Sequence, residues 1–176
     1  LGAGWNEEEC DAYGIDLGTL TERFDRFGEA CEVVVSLLTQ ETSDFEGEYF
    51  TLRNARNNPP GVQRPHPPIC IGGGGERRTL PAVARWAQHW NYPGFDIEGM
   101  VAKREVLHGL CREIGRDPSE IEISQHVIYD PDGDTAAFVD DLAEREAAGL
   151  DLVIFYLPPP HDASILGPLA EVLRDR

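Results

Sequence analysis

Apolar positions along this chain first recur at helical spacing. Leu20, Phe24, Phe27, Cys31, Val34 and Leu38 fall on one stripe, and Thr19 stands three residues before Glu22 in capping-box register. A helix is therefore predicted over about 20–39. From residue 69 the pattern changes to short apolar runs alternating with helical stripes. Ile69, Cys70 and Ile71 form the first run, and four glycines, Gly72, Gly73, Gly74 and Gly75, end it. A helix follows with Leu80, Val83, Ala84 and Ala87 on one face, and Pro81 fits only its first turn. His89, Trp90, Asn91 and Tyr92 make a second strand. Asp96 is placed to cap the next helix, which carries Ile97, Met100, Val101, Leu107, Cys111 and Ile114 and stops at Gly115.

The third strand is predicted over 121–129. Asp134 or Thr135 opens a helix bearing Phe138, Val139, Leu142 and Ala143, which stops near Gly149. The fourth strand, 152–157, is nearly all apolar, as a strand buried on both faces should be. Pro158, Pro159 and Pro160 end it, and Asp162 or Ser164 starts a last helix with Ile165, Leu166, Leu169 and Leu173. The segment 43–68 obeys neither period. Phe45 to Phe50 read as a small hairpin around Gly47, and the prolines at 59, 60, 65, 67 and 68 break any regular structure after it. This excursion is too short to own a core, so residues 1–176 are expected to form a single domain.

Four strand–helix alternations imply a parallel sheet with right-handed crossovers. The helix at 20–39 adds the tail of one earlier unit, whose strand would end at Leu1 and Gly2. About four and a half βα units fit an open doubly wound sheet or part of an eight-unit barrel, and periodicity does not choose between them. The chain opens on Leu1 rather than Met, so further residues upstream are expected.

Charge narrows the partners. The 176 residues carry 32 acidic and 15 basic side chains, a formal net charge of −17. Such a surface repels nucleic acid and anionic membrane, and no apolar run approaches the ~20 residues of a membrane span. Cys10, Cys31, Cys70 and Cys111 show no CxxC or zinc spacing. They read as reduced thiols of a cytoplasmic protein. No metal site is expected.

Three segments carry a family resemblance. The first is Leu1-Gly2-Ala3-Gly4-Trp5, with the acidic run Glu7-Glu8-Glu9 and then Glu22-Arg23-Phe24. The second runs from Val62 through Gln63, Arg64, Pro65, His66, Pro67, Pro68, Ile69, Cys70 and Ile71 to the four glycines. The third is Ala84-Arg85-Trp86-Ala87-Gln88-His89-Trp90-Asn91. Together these resemble the luciferase-like monooxygenases, especially the deazaflavin-dependent branch. The resemblance implies the second half of a β/α (TIM) barrel, beginning at the end of strand four. It implies coenzyme F-420 (a deazaflavin) or FMN as cofactor, bound at the carboxyl ends of the strands. The expected activity is an oxidoreductase or monooxygenase acting on a small organic molecule. Two departures stand out: the family has Ala-Asp-Gly-Trp where this chain has Ala87-Gln88-His89-Trp90, and strands one to three, which in the family supply much of the pocket floor, are absent from this sequence.

Physical chemistry supports a set of candidate contacts. Side-chain-free Gly72, Gly73, Gly74 and Gly75 let backbone amides approach an anion at a helix N-terminus. Arg77 would add charge and Thr79 a hydroxyl. Gly2 and Gly4 would let the backbone pass close to a flat ring, with Trp5 against it; a loop glycine pair and a core tryptophan fit equally. Asn91-Tyr92-Pro93-Gly94 ends the next strand and so faces the same rim, where this loop, with Asn91, is a second phosphate contact or an ordinary connection. His89 and His126 sit on strands and could point into a barrel. Glu7, Glu8 and Glu9 read as a solvated loop, from which one carboxylate could reach the cofactor ring. No catalytic residue is assigned, since a flavin or deazaflavin performs hydride transfer itself.

Two other classes stay open. One is a degenerate half-barrel that binds flavin or dimerises without turnover, since a half-barrel exposes two sheet edges; a homodimer or association with the other barrel half is expected. The other is a sugar-phosphate aldolase or isomerase, which the single lysine, mid-helix Lys103, disfavours.

Overall fold

A computed structural model of the chain describes residues 1–159 and 161–174. A short helix α1 (Glu7–Ala12) precedes the long α2 (Leu20–Thr39). The hairpin β1 (Ser43–Glu46) and β2 (Thr51–Ala55) follows. Then come β3 (Cys70–Gly72), α3 (Thr79–Trp86), β4 (His89–Tyr92), α4 (Ile97–Glu113), β5 (Glu122–Ile128), α5 (Thr135–Ala147), β6 (Leu152–Tyr156) and α6 (Leu166–Arg174). The predicted caps form: Thr19 and Glu22 close a reciprocal capping box, and Asp96 accepts from the Gly99 amide. Asp134 rather than Thr135 caps α5, and Asp162 caps the 3₁₀ turn before α6. The predicted stop of the fourth strand at Pro158 and Pro159 is observed, while Pro160 lies outside the described residues.

Strands β3, β4, β5 and β6 form a parallel sheet in sequence order. Leu1 extends it beyond β3: its terminal amine donates to the Cys70 carbonyl, and its own carbonyl accepts from the Gly72 amide at 3.3 Å. That alternation is a parallel-ladder pattern, so the residue-1 end of the predicted half-unit is present. The antiparallel β1–β2 pair stands apart from this sheet. Its turn is tied to α2 by Glu29, whose carboxylate accepts the amides of Glu48, Tyr49 and Phe50 at 2.8–3.0 Å.

The pleat sends alternate residues to opposite faces. Ile71, Trp90 and Ile123 share one row, with Tyr92 above it, and pack among Leu80, Val83 and Ala84 of α3 and Met100, Leu107 and Cys111 of α4. This outward, helix-covered face is the core. The other face carries Cys70, Gly72, His89, Asn91, Ser124, His126 and Tyr156.

Two expectations need correction. The last strand is not buried on both faces, since Leu152 is 40% and Tyr156 51% exposed. It lies at the end of the sheet, and its apolar composition is satisfied by helices on one side only. Glu7, Glu8 and Glu9 form the first turn of α1 rather than a loop. Asn6 caps that turn, and three carboxylates at a helix N-terminus suit its dipole.

Candidate functional site

The carboxyl ends of β3 and β4, together with the segment leaving Leu1, surround a cavity of about 360 Å³. Gly2, Gly4 and Trp5 line one side, Gly72, Gly73 and Thr79 the other, and Ala3, Phe24, Phe27 and Pro93 complete it. No lining side chain is charged, in a chain of net charge −17. The volume sits at the small end of the ~300–1,000 Å³ range of ligand sites.

Local geometry keeps this wall free of side chains. Gly4 has φ +85° and Gly73 φ +125°, both in the region that favours glycine. A Cβ at Gly73 would lie 2.9 Å from Thr79 Cγ2, and one at Gly4 2.9 Å from Leu17 Cδ2. The carbonyls are also held. Trp90 Nε1 donates to Gly73 O at 2.8 Å, Gly73 N donates to Asn91 O at 3.2 Å, and Arg23 Nη1 donates to Gly4 O at 3.1 Å. The glycine loop is thus pinned from the core beneath it.

Six of the ten candidates meet at this cavity: Gly2, Gly4, Trp5, Gly72, Gly73 and Thr79. Trp5 is 82% exposed, so it is not the core tryptophan that its sequence also allowed. Gly74 packs toward Pro93 and Gly75 toward Thr79, just outside the lining. The glycines do not open a helix directly. A turn over 76–78 intervenes, closed by Leu80 N donating to Gly75 O at 2.9 Å, and α3 starts at Thr79. Arg77 is exposed on that turn. Arg78 is turned away, pairing with Asp25 at 2.7 Å. Asn91 lies behind the wall on the inner sheet face, where Nδ2 donates to Ser124 Oγ at 2.9 Å.

Phe24 and Phe27 went unpredicted because an apolar stripe reads as core wherever it ends, whereas Pro93 belongs to the loop 91–94 that was expected to face this rim. Ser124 and Gln125 were also missed, although two polar residues inside an apolar strand were the available signal. Both are fully buried. Gln125 Nε2 donates to Gly94 O and Asp96 O at 3.1 and 3.0 Å, while its Oε1 accepts from Arg145. This bridge holds the loop that carries Pro93. Tyr92 braces the same loop by donating to Asp96 Oδ1 at 3.2 Å. Burial, with Asp96 beside it, raises the Tyr92 pKa. The Gly99 amide, foremost, pulls the Asp96 pKa down. His126 stacks on Tyr156 with ring centres 4.6 Å apart. Among the described residues no cluster of His, Cys, Asp or Glu could hold a metal ion, and no helix is long and apolar enough to cross a membrane.

The sequence profile of the luciferase-like monooxygenases matches residues 1–170. The chain belongs to the luciferase-like monooxygenase family. An uncharacterised protein of Mycobacterium tuberculosis is 27% identical to this luciferase-like chain over 158 residues, 90% of it and 51% of the relative. The FMNH2-dependent dimethylsulfone monooxygenase of Pseudomonas putida is 28% identical over 114 residues, covering 64% of the chain and 31% of the enzyme. Among solved structures, an F420-dependent secondary alcohol dehydrogenase in complex with an F420–acetone adduct superposes with a TM-score of 0.83 at 17% identity. The match takes in 97% of the luciferase-like chain and 67% of that one. The fold is therefore part of a luciferase-like β/α barrel. The chain spans about half the length of the M. tuberculosis relative.

Proposed function

We propose that this domain contributes the coenzyme-binding half of an oxidoreductase in which a deazaflavin (coenzyme F-420) or FMN exchanges hydride with a small organic substrate. The observation that carries it is the uncharged, glycine-walled cavity at the carboxyl edge of the sheet, where barrel enzymes place their chemistry. The wall fits such a group because Gly4 and Gly73 leave backbone exposed where any Cβ would collide with a neighbour. Gly2, Gly4 and Trp5 would flank the coenzyme on one side. Gly72 to Gly75, Thr79 and Arg77 would receive its phosphate-bearing end near the N-terminus of α3. The bound coenzyme supplies the redox chemistry, and the residues of this chain bind it, orient it and exclude water.

Titrating the chain with FMN and with coenzyme F-420 while recording visible difference spectra tests the reading. Saturable binding of one supports it, and silence with both defeats it. Reduced-coenzyme turnover on a panel of alcohols, ketones and sulfur compounds would then identify the substrate.

A second reading draws on the open end of the sheet, where β6 has a free edge and an exposed inner face. Further strands complete the barrel there, supplied in cis or by a second chain. Absent that, the domain binds coenzyme or self-associates without turnover. Sedimentation with and without coenzyme, run beside the turnover assay, separates these cases. Four unpaired cysteines support a cytoplasmic setting.

A further inference from the structure

A buried cation lies on the helix-covered side of the sheet, between α5 and the loop 93–96. Arg145 is buried, and all three guanidinium nitrogens are engaged. Nε and Nη2 donate to the two oxygens of Asp141, one turn earlier on α5, at 2.8 and 3.0 Å. Nη1 donates to Phe95 O at 3.0 Å and to Gln125 Oε1 at 2.5 Å. Gln125 passes the contact on, since its Nε2 donates to Gly94 O and Asp96 O. Three successive loop carbonyls are thus drawn inward by one network. Pro93, the residue just before them, stands on the cavity wall and lies toward Gly74. No residue of α5 lines the cavity.

Packing alone does not call for this network. Taking a guanidinium out of water is costly, and a buried ion pair can often be replaced by apolar side chains of similar volume without loss of stability. What apolar side chains cannot do is hold three backbone carbonyls. Those carbonyls would turn to water and take the loop with them. Asp141 grips the guanidinium with both oxygens, so α5 sets the orientation of Arg145 and, through it, of Gln125. We infer that Asp141, Arg145 and Gln125 are positioning residues for the cavity, seating the loop 93–96 so that Pro93 closes the wall beside Gly74. The inference rests on the coenzyme reading above, because the fit of the coenzyme is what the loop would control.

Two measurements test this. The first replaces the network as a whole, Gln125→Leu with Asp141→Ala and Arg145→Met, so that no charge is left without its partner. The urea midpoint should stay within about 0.5 M of the parent chain. FMN or coenzyme F-420, whichever the parent binds, should bind about tenfold more weakly, within the usual range of coupling between sites. Unchanged affinity in the folded variant overturns the inference. The second measurement uses the parent chain and decides the matter should the variant fail to fold. Exchange of the Arg145 Nε–H is followed by NMR with and without coenzyme. Opening of the loop breaks the network and spoils the cavity together, so coenzyme at about nine times its Kd should slow this exchange about tenfold. Arg116 is the control, because its guanidinium holds the carbonyls of Ala84 and Ala87 at the far end of α3. Slowing at Arg145 well beyond that at Arg116 supports the inference. Equal slowing at both, or none at Arg145, overturns it and leaves the coenzyme reading standing. Binding of neither coenzyme by the parent chain sinks both.

Discussion

The two faces of one sheet are treated differently in this molecule. The outward face buries Ile71, Trp90 and Ile123 under α3 and α4, with Trp90 completely excluded from solvent. Toward β6, the inward side leaves Tyr156 half exposed, and Ile128, at the end of β5, is 64% exposed. The same alternation of side chains generates both. What differs is whether an element of this chain lies above them. Stability should therefore reside in the outward layer, and inward residues should be nearly free to change unless they serve the site.

The largest effect is expected at Trp90. Truncation to alanine removes a fully buried indole and the 2.8 Å bond that pins Gly73 O. A loss of about 3–5 kcal/mol is expected from core truncations of this size. Urea unfolding measures it, and coenzyme affinity should fall in parallel because the glycine loop loses its anchor. A loss under about 1 kcal/mol, well below that core range, would break the contrast between the faces.

Gln125→Leu comes next. The substitution keeps volume but strips two loop carbonyls and the Arg145 guanidinium of a partner. Buried groups left unpaired cost about 1–3 kcal/mol. Hydrogen exchange should localise the loosening to residues 93–96, beside the cavity. Uniform loosening of the whole sheet would show that this bridge is a core feature rather than a loop anchor.

The sequence made the outward layer legible because its helical stripes and strand runs are set by the chain's own periods. Helix α2 and strand β4 appear where predicted, and the Thr19 and Asp96 caps form. The inward layer was less legible for a physical reason. An apolar run such as 152–156 reports that something apolar should cover it, not whether this chain supplies the cover. The site was half legible. Four glycines after a strand mark a close backbone approach. Nothing in an apolar stripe says that Phe24 and Phe27 end at a cavity. Gln125 gained meaning only once the fold set it between Arg145 and the loop carbonyls.

A smaller effect is expected on acidification, away from both faces. Burial pushes the Glu29 pKa up, but the amides of Tyr49, Glu48 and Phe50 outweigh it and draw the value below the ordinary range. A depressed folded-state pKa gives stability that is present above the unfolded value of about 4.3 and lost as pH falls through the folded one. Amide exchange in the hairpin turn should therefore rise below about pH 4, ahead of exchange in β3 and β4. Glu29→Gln should raise hairpin exchange at neutral pH and flatten this dependence. Hairpin exchange that stays level to global acid unfolding would show that Glu29 contributes nothing.

The smallest expected effect is the sharpest test of the contrast. Ile128 ends β5 on the inward side and is 64% exposed. Replacement by threonine keeps the β-branch that suits a strand and removes apolar surface that was in water in any case. Stability should move by no more than about 0.5 kcal/mol, the range of surface substitutions. The same change at Ile123, on the covered side of the same strand, places a hydroxyl among Trp90 and the helix side chains and should cost several times more. If both isoleucines responded alike in the isolated chain, the inward face would already be covered in solution. Self-association of the free edge at β6 would be the first cause to examine, by repeating the unfolding across a range of protein concentrations.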